Sequence, residues 1–375
     1  MKVALLSDCY LPRLGGIEVQ THDLAQHLIA LGHEVEVFTA TPGPGGERHG
    51  AVTVLDGVPA HRLATRLPWD LPVNPWAPPE LRRRLQSGGF DVAHVQTGVV
   101  SLFAWDSTRV TLGLGLPTAM TWHCMLTGVS PLFRAAGFVR RWARRGVAMS
   151  AVSAVAAAPL RSLVGPGREV GVLPNGIDVS RWAVGPVERK PGPLRLVTAM
   201  RLAARKRPLP LLDVVRRAER LAGHDSLTLT ILGEGPDRAR IEAYVREHDL
   251  SWVRLPGRVS RDELRAAYAG SDVYLSPAHL ESFGIAALEA RTVGLPVLGR
   301  DGSGVGEFVQ HGVNGLVVDS DSEMAHAIAR LAREPEVVAR MRDWNVAHRP
   351  AQDWAAVASQ AVREYERAIG ERVGG

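Results

Sequence analysis

Short apolar runs rich in Val, Leu and Ile recur along the whole chain, each followed by a segment with helix-like spacing. In the first half they are KVALLSD (2–8), EVEVFTA (34–40), VTVL (52–55), DVAHVQ (91–96), TAMTW (118–122), VAMSAVS (147–153) and EVGVLP (169–174). Runs that are apolar on both faces fit parallel strands buried between layers of helices. Between the first two, residues 17–31 place Val19, Leu24, Leu28 and Leu31 at near-helical spacing, and Gly32 follows as a C-cap. The rhythm then pauses at 186–193, PVERKPGP, whose prolines and charges predict a linker. It restarts with LRLVTAM (194–200), LTLTILG (227–233), WVRLPG (252–257), DVYLSP (272–277), PVLG (296–299) and GLVV (315–318). Two such series predict an α/β protein of two Rossmann-like, doubly wound parallel-sheet domains. The expected boundaries are 1–185, 186–350 and a terminal helical segment, 351–375. Ligands of such sheets lie beyond the carboxyl ends of the strands, so a central cleft is the expected site.

Composition narrows the partners. With 46 % apolar and 22 % charged residues there is material for two packed cores. The net charge of +5 suits phosphorylated ligands, anionic lipid or nucleic acid alike. Aromatic residues are only 6 % and no nucleic-acid recognition module is evident, so nucleic acid is not an expected partner. The basic residues are almost all arginine. Only Lys2, Lys190 and Lys206 are lysine, so Lys206 stands out. Cys9 and Cys124 have no metal-like spacing, and reduced thiols are expected. The apolar run at 3–6 is interrupted by Asp8, and no stretch approaches the ~20 apolar residues of a spanning helix. The expectation is a soluble cytoplasmic protein, or one peripheral at the inner face of the cell membrane.

The segment ESFGIAALE (281–289) follows the run DVYLSP and opens a helix near Gly284. Glu281 then falls in a strand-end loop and Glu289 about one and a half turns into the helix. Free N–H groups around Gly284 and Ile285, with the helix dipole, make an anion site. Two glutamates alone fit a solvated helix start better. MRLAARK (200–206) follows the first strand of the second series, where Arg201 and Lys206 can clamp a diphosphate; an ordinary basic loop is the plainer alternative. Gly15 and Gly16 in YLPRLGGI (10–17) can admit a phosphate or sugar to backbone amides, and a plain turn fits equally well. His123, after TAMTW, is one of 13 histidines, distinguished by its place at a strand end. Gly233 and Gly235 begin a G-x-G-x-x-G pattern, but Arg238 occupies its third position, which weakens a dinucleotide-dependent oxidoreductase reading.

Together, YLPRLGGIEVQTHDLAQHLIALGHEVEVFT, FDVAHVQ, AVSAVA, LPNGID (173–178), the Arg201/Lys206 pair, ILGEGP (231–236), GRVSRDEL (257–264), DVYLSP and ESFGIAALE make the chain resemble retaining glycosyltransferases of family 4, with the GT-B fold. It is similar to bacterial phosphatidylinositol mannosyltransferase-like enzymes among them. The resemblance implies transfer of a mannose- or glucose-type hexose from a UDP or GDP sugar to a lipid, glycan or small-molecule hydroxyl. It also implies retained anomeric configuration and no required metal or cofactor. By resemblance, Glu281 with Phe283, Gly284 and Ile285 meets the donor hexose, and Glu289 holds the ribose. Arg201 and Lys206 bind the diphosphate, Gly15 and Gly16 supply the glycine loop, and His123 lies near the anomeric carbon. Arg258 and Val259 match the loop at the nucleobase. The donor belongs mainly to the second domain, the acceptor to the first, and the last helix crosses back to the first. MRL lacks the glycine that often precedes the arginine, and RDGSGVGEF (300–308) is a looser glycine loop than usual. A nucleotide-sugar epimerase on the same architecture is the alternative function.

The acceptor side is less legible. Residues 66–84, RLPWDLPVNPWAPPELRRR, combine tryptophans, prolines and an arginine triplet. Residues 133–145, FRAAGFVRRWARR, set Phe138 and Trp142 on one helical face and Arg140, Arg141 and Arg144 largely on another. Such a segment fits either an anionic membrane surface or packing on its own domain.

Overall fold

The computed structural model describes residues 1–13, 15–67, 71–185 and 192–373. The expected linker at 186–193 therefore lies mostly outside the described residues, as do Leu14 of the glycine loop and 68–70 of the tryptophan–proline segment. The chain divides into two compact units. The first is Met1–Gly176 with Gln352–Gly375, and the second is Ile177–Ala351.

The first unit is built on an eight-stranded sheet ordered β3-β4-β2-β1-β5-β6-β7-β8. Its strands are β1 (Lys2–Ser7), β2 (Glu34–Thr39), β3 (Ala51–Leu55), β4 (Val58–Arg62), β5 (Val92–Thr97), β6 (Thr118–Trp122), β7 (Val147–Ala151) and β8 (Val170–Val172). β1 lies between β2 and β5, parallel to both. Its Val3, Ala4, Leu5 and Leu6 are wholly buried, as a strand covered on both faces requires. Helix α1 (Gly16–Ala30) returns the chain to β2 and ends before Gly32, at φ +85°. α2 (Ala77–Ser87) precedes β5, and α3 (Leu102–Leu114) joins it to β6. α4 (Ser130–Ala136), α5 (Phe138–Arg144), α6 (Ala154–Val164) and the terminal helix, Trp354–Val373, complete the unit. The terminal helix buries Trp354, Val357, Ala361, Tyr365 and Ala368, a stripe spaced three and four residues apart, in the core that contains Val3, Leu5, Val92 and Ala148.

One strand differs from expectation. VTVL is not a buried parallel strand: β3 is antiparallel to β4 and forms the sheet edge, with Val52 51 % and Val54 66 % exposed. Asp56 (φ +46°) and Gly57 (φ +81°) form the tight turn, the left-handed pair that an Asp-Gly hairpin favours. β4, VPAHR, lacked an apolar run, and its proline and charged end hid it.

The second unit carries a six-stranded, wholly parallel sheet ordered β11-β10-β9-β12-β13-β14. The strands are β9 (Leu194–Ala199), β10 (Leu227–Leu232), β11 (Val253–Gly257), β12 (Val273–Ser276), β13 (Val297–Arg300) and β14 (Gly315–Val318). α7 (Val179–Trp182) opens the unit; α8 (Pro208–Ala222), α9 (Arg238–Glu247), α10 (Arg261–Ala269) and α11 (Ile285–Val293) cross between successive strands; α12 (Asp321–Arg333) and α13 (Pro335–Ala347) close it. Leu196, Leu211, Leu229, Val273, Leu298 and Ile328 belong to one core.

The division falls at Gly176/Ile177, not at the expected 185/186. Residues 177–185 belong to the second unit because they are packed into it. Trp182 is buried with its ring 6.1 Å from that of Tyr268, and Arg265 and Arg349 donate to the carbonyls of Ala183 and Val184.

Candidate active site

In a doubly wound sheet the ligand crevice opens where successive crossovers diverge to opposite sides of one strand. In the second unit β9 is that strand, with β10 on one side and β12 on the other. The loop after β9 carries Arg201 and the 3-10 turn Ala204–Lys206; the loop after β12 carries Glu281. Across this point the Lys206 ammonium meets the Glu281 carboxylate at 2.5 Å, their side chains 24 % and 16 % exposed. Arg201 is exposed beside them in sequence. Arg207, by contrast, is structural: its guanidinium grips both Asp321 oxygens at 2.9 and 2.7 Å and donates to the Pro277 carbonyl.

The glutamate loop is shaped by close backbone contacts. Gly284 caps α11 at φ +93°, and the helix start has no side-chain cap, so its N–H groups remain available to an anion. Gly304 lies so close to this loop that a Cβ there would stand 2.3 Å from the Ser282 oxygen, and its N–H donates to the Glu281 carbonyl at 2.7 Å. Gly304 of the segment 300–308 thus supports the glutamate loop from behind. Phe283 is buried with its ring 5.6 Å from Phe308, so the ring anchors the loop and leaves only backbone to face a ligand. Glu289 is half-buried on α11. Both Glu281 and Glu289 act electrostatically on Tyr274, a buried β12 residue whose hydroxyl donates to the Ala199 carbonyl. Burial first, then these two charges, hold that phenol protonated.

Gly233 and Gly235 have a different explanation from cofactor binding. A Cβ on them would stand 2.0 Å from the Met200 oxygen and 2.3 Å from the Leu202 oxygen. They let the loop after β10 lie against the loop that carries Arg201, through hydrogen bonds from Leu202 N–H to Glu234 O and from Asp237 N–H to Leu202 O. Arg258, exposed, and Val259, half-buried, follow β11 at the edge of the sheet, on the same carboxyl end.

The first unit treats its own crevice in the opposite way. There the divergence lies at β1, between β2 and β5. The α3 start beside it is already occupied by the chain's own carboxylate, since Asp8 accepts the Phe103 N–H at 2.9 Å. Burial pushes Asp8 up to about 7, against the pull of the α3 N–H groups and Ser101. Gly15 and Gly16 are exposed at the start of α1, Gly15 in extended backbone. The buried Glu18 carboxylate folds back against Gly15, where a Cβ would lie 2.3 Å from it. An anion would meet that carboxylate; a hydroxyl would find an acceptor.

His123 follows β6 and donates its backbone N–H to Thr97 O. Its Nε2 lies 2.5 Å from Gln96 Oε1. Burial lowers its imidazole to about 4, and the Asn175 side chain opposes that shift. The ring is therefore neutral at physiological pH. Glu18, Gln96 and Asn175 lie within the quoted motifs but received no role of their own, because Glu18 reads as part of a helix start and only folding brings Gln96 and Asn175 to His123.

The basic segment 133–145 is two helices, α4 and α5, broken at Gly137 (φ +66°). Phe133, Val139 and Trp142 are buried, and Phe133 packs edge-on to Trp105 and Trp122. The apolar face is used inside the unit, while Arg134, Arg140, Arg141, Arg144 and Arg145 are exposed. In the arginine triplet, Arg84 bridges Glu80, His61 and the Gly50 carbonyl. Among the described residues no helix is long and apolar enough to cross a membrane.

A family model described as glycosyl transferases group 1 matches residues 185–345, and one described as Glycosyltransferase Family 4 matches 14–181. A GDP-mannose-dependent alpha-mannosyltransferase of Mycobacterium tuberculosis (strain CDC 1551 / Oshkosh) is 26 % identical over 393 residues, covering 99 % of this chain and 98 % of that protein. The glycogen synthase of the same strain is 28 % identical, covering 97 % and 94 %. The solved structure of Anabaena Alr3699/HepE in complex with UDP matches with a TM-score of 0.76 at 16 % identity, covering 98 % of this chain and 100 % of that one. Two parallel-sheet units with this crevice chemistry, matched over nearly their whole length by sugar-transferring relatives, define a nucleotide-sugar glycosyltransferase of the GT-B fold. Within that class the chain belongs to family 4, its second half falling in glycosyl transferases group 1.

Proposed function

We propose that this enzyme transfers a mannose- or glucose-type hexose from a UDP or GDP sugar to a hydroxyl acceptor, with retention and without a metal. The observation that carries the proposal is the Lys206–Glu281 pair at the β9 divergence, set in the same unit as the uncapped start of α11. The donor belongs to this second unit. Lys206, Arg201 and the N–H groups of Gly284 and Ile285 take the diphosphate, Glu281 and the loop backbone at Phe283 take the hexose, and Glu289 takes the ribose. Arg258 and Val259 border the base.

The chemistry follows from charge. As the bond between the anomeric carbon and the phosphate oxygen breaks, its electron pair stays on the diphosphate. Lys206, Arg201 and the α11 dipole stabilise that growing negative charge where a metal could otherwise act. The anomeric carbon becomes cationic, and the Glu281 carboxylate stabilises and orients it. The acceptor oxygen forms the new bond, and its proton passes to the departing phosphate oxygen. In the first unit, His123 offers a neutral imidazole to a sugar hydroxyl. Gly15 and Gly16, beside Glu18, suit a hydroxyl-bearing ligand better than a phosphate.

A thermal-shift screen of UDP, GDP and ADP sugars identifies the donor, since a ligand of the folded state raises its stability. With that donor and candidate acceptors, NMR of the product anomer tests retention, and chelator tests metal independence. Incubation without acceptor separates transfer from epimerisation. Co-sedimentation with anionic vesicles at low salt tests a lipid acceptor. Full turnover in Lys206→Ala or Glu281→Ala refutes the proposal.

A further inference from the structure

Behind His123 the first unit buries a row of polar side chains where apolar ones would cost less. Gln96 and His94 come from β5, Thr121 from β6, Ser150 from β7 and Tyr365 from the terminal helix, none more than 4 % exposed. Unpaired, each would destabilise the fold, because a buried polar group loses its bonds to water. Instead they are joined in sequence. The Tyr365 hydroxyl lies 2.9 Å from His94 Nδ1, His94 Nε2 lies 2.7 Å from Thr121 Oγ1, and Thr121 lies 2.9 Å from Ser150 Oγ. Ser150 closes the row on the Met120 carbonyl at 3.4 Å.

The proton directions follow from the far end of the row. Ser150 donates to the Met120 carbonyl, so it accepts from Thr121, which in turn accepts from His94 Nε2–H, and His94 Nδ1 is then the acceptor for the Tyr365 hydroxyl. The Gln96 amide nitrogen sits 3.2 Å from His94 Nδ1, the one ring nitrogen with a lone pair, which it shares with the Tyr365 hydroxyl; Nε2, at 3.1 Å, carries its own proton. The Gln96 oxygen is thereby turned to His123 Nε2. An amide oxygen only accepts, so Nε2 of His123 carries the proton it shares with Gln96, while the Asn175 side chain also bonds the ring. A cavity of about 20 Å³ adjoins this point, bordered by Gln20, Gln96, His123, Asn175 and Trp354, with room for one water.

We propose that Gln96 is a positioning residue that sets the tautomer and orientation of His123, with His94 and Tyr365 of the terminal helix holding the Gln96 amide. The proposal rests on the role given to His123 above. It explains why the terminal helix brings a tyrosine hydroxyl into the apolar core under β5.

The test uses the whole enzyme labelled with ¹⁵N-histidine, the His123 signals being assigned by their loss in His123→Gln. Long-range ¹H–¹⁵N correlation reads the tautomer. Wild type is expected as Nε2–H. Gln96→Glu retains an acceptor oxygen and keeps Nε2–H, whereas Gln96→Leu moves His123 toward Nδ1–H. In Gln96→Leu, kcat falls by about tenfold or more while the donor KM changes by less than about twofold, the mark of lost orientation. Wild type found as Nδ1–H overturns the proposal even if Gln96→Leu fails to fold. So does an unchanged tautomer in folded Gln96→Leu. A tautomer that moves while kcat does not supports the positioning and removes His123 from the catalytic role, so the two failures are told apart.

Discussion

Glu281→Gln should make the enzyme bind free nucleoside diphosphate more tightly while transferring sugar more slowly. The Lys206 ammonium pairs with Glu281 at 2.5 Å, so it must leave that carboxylate to reach a phosphate. The raw attraction of such a pair at 2.5 Å is about 7 kcal/mol at the effective dielectric of a protein surface. Desolvation and the ordering of the lysine chain offset most of this. With side chains 24 % and 16 % exposed, a net value of about 1 kcal/mol is the reasonable figure. Removing the competing charge returns that amount to ligand binding, about a fivefold lower Kd for GDP or UDP. The same change withdraws a carboxylate from the cationic sugar, and kcat should fall by about 10²-fold. Titration calorimetry with GDP and UDP reads the first effect, and the gain should shrink as salt screens the phosphate charge. Nucleotide binding that is unchanged or weaker in Glu281→Gln would refute the idea that Lys206 passes from carboxylate to phosphate.

Three further outcomes test the surroundings. Asp8 has its proton held more tightly in the folded chain than in the unfolded one, at about 7 against an ordinary 3.8. Its contribution is therefore complete below about pH 4 and is lost as pH rises through about 7, a swing of at most about 4 kcal/mol. Asp8→Asn, which keeps the acceptor for Phe103, should stabilise the protein at pH 8 and much less at pH 5, read by urea unfolding. Gly304→Ala should lower stability by about 1–3 kcal/mol and reduce activity, because its Cβ meets the backbone of Ser282 and Phe283 at 2.3 and 2.5 Å; an unchanged Tm would contradict this. Trp182→Ala should cost about 3–5 kcal/mol, with hydrogen exchange accelerated across 177–351, and a loss below about 1 kcal/mol would detach 177–185 from the second unit.

Much of the fold was legible because parallel strands buried on both faces must be apolar throughout. β1, β2, β5, β6 and β7 and most strands of the second sheet announce themselves in this way, whereas the edge strand β11, VRLPG, alternates half-buried and exposed residues. β4 did not announce itself, since an edge hairpin needs no such run; its Asp56–Gly57 turn was the readable signal. The boundary was misplaced because proline-rich composition marks a loop, whereas Trp182 is bound by packing that composition does not show. At the candidate site, Lys206 and Glu281 were legible through strand-end position and the rarity of lysine, and folding brings them together. Phe283 was legible as part of the loop but not as its buried anchor. Gln96, His94 and Tyr365 were hidden for a deeper reason. Each is an ordinary polar residue in its own segment, and the contact that joins His94 to Tyr365 spans 271 positions.

Hydrogen exchange read by mass spectrometry, with and without a saturating GDP or UDP sugar, locates the donor directly. Binding at the β9 divergence predicts new protection in 200–207 and 281–289, lost in Lys206→Ala. Protection centred instead on the start of α3, where Asp8 already holds the Phe103 N–H, or none in either segment, would contradict it.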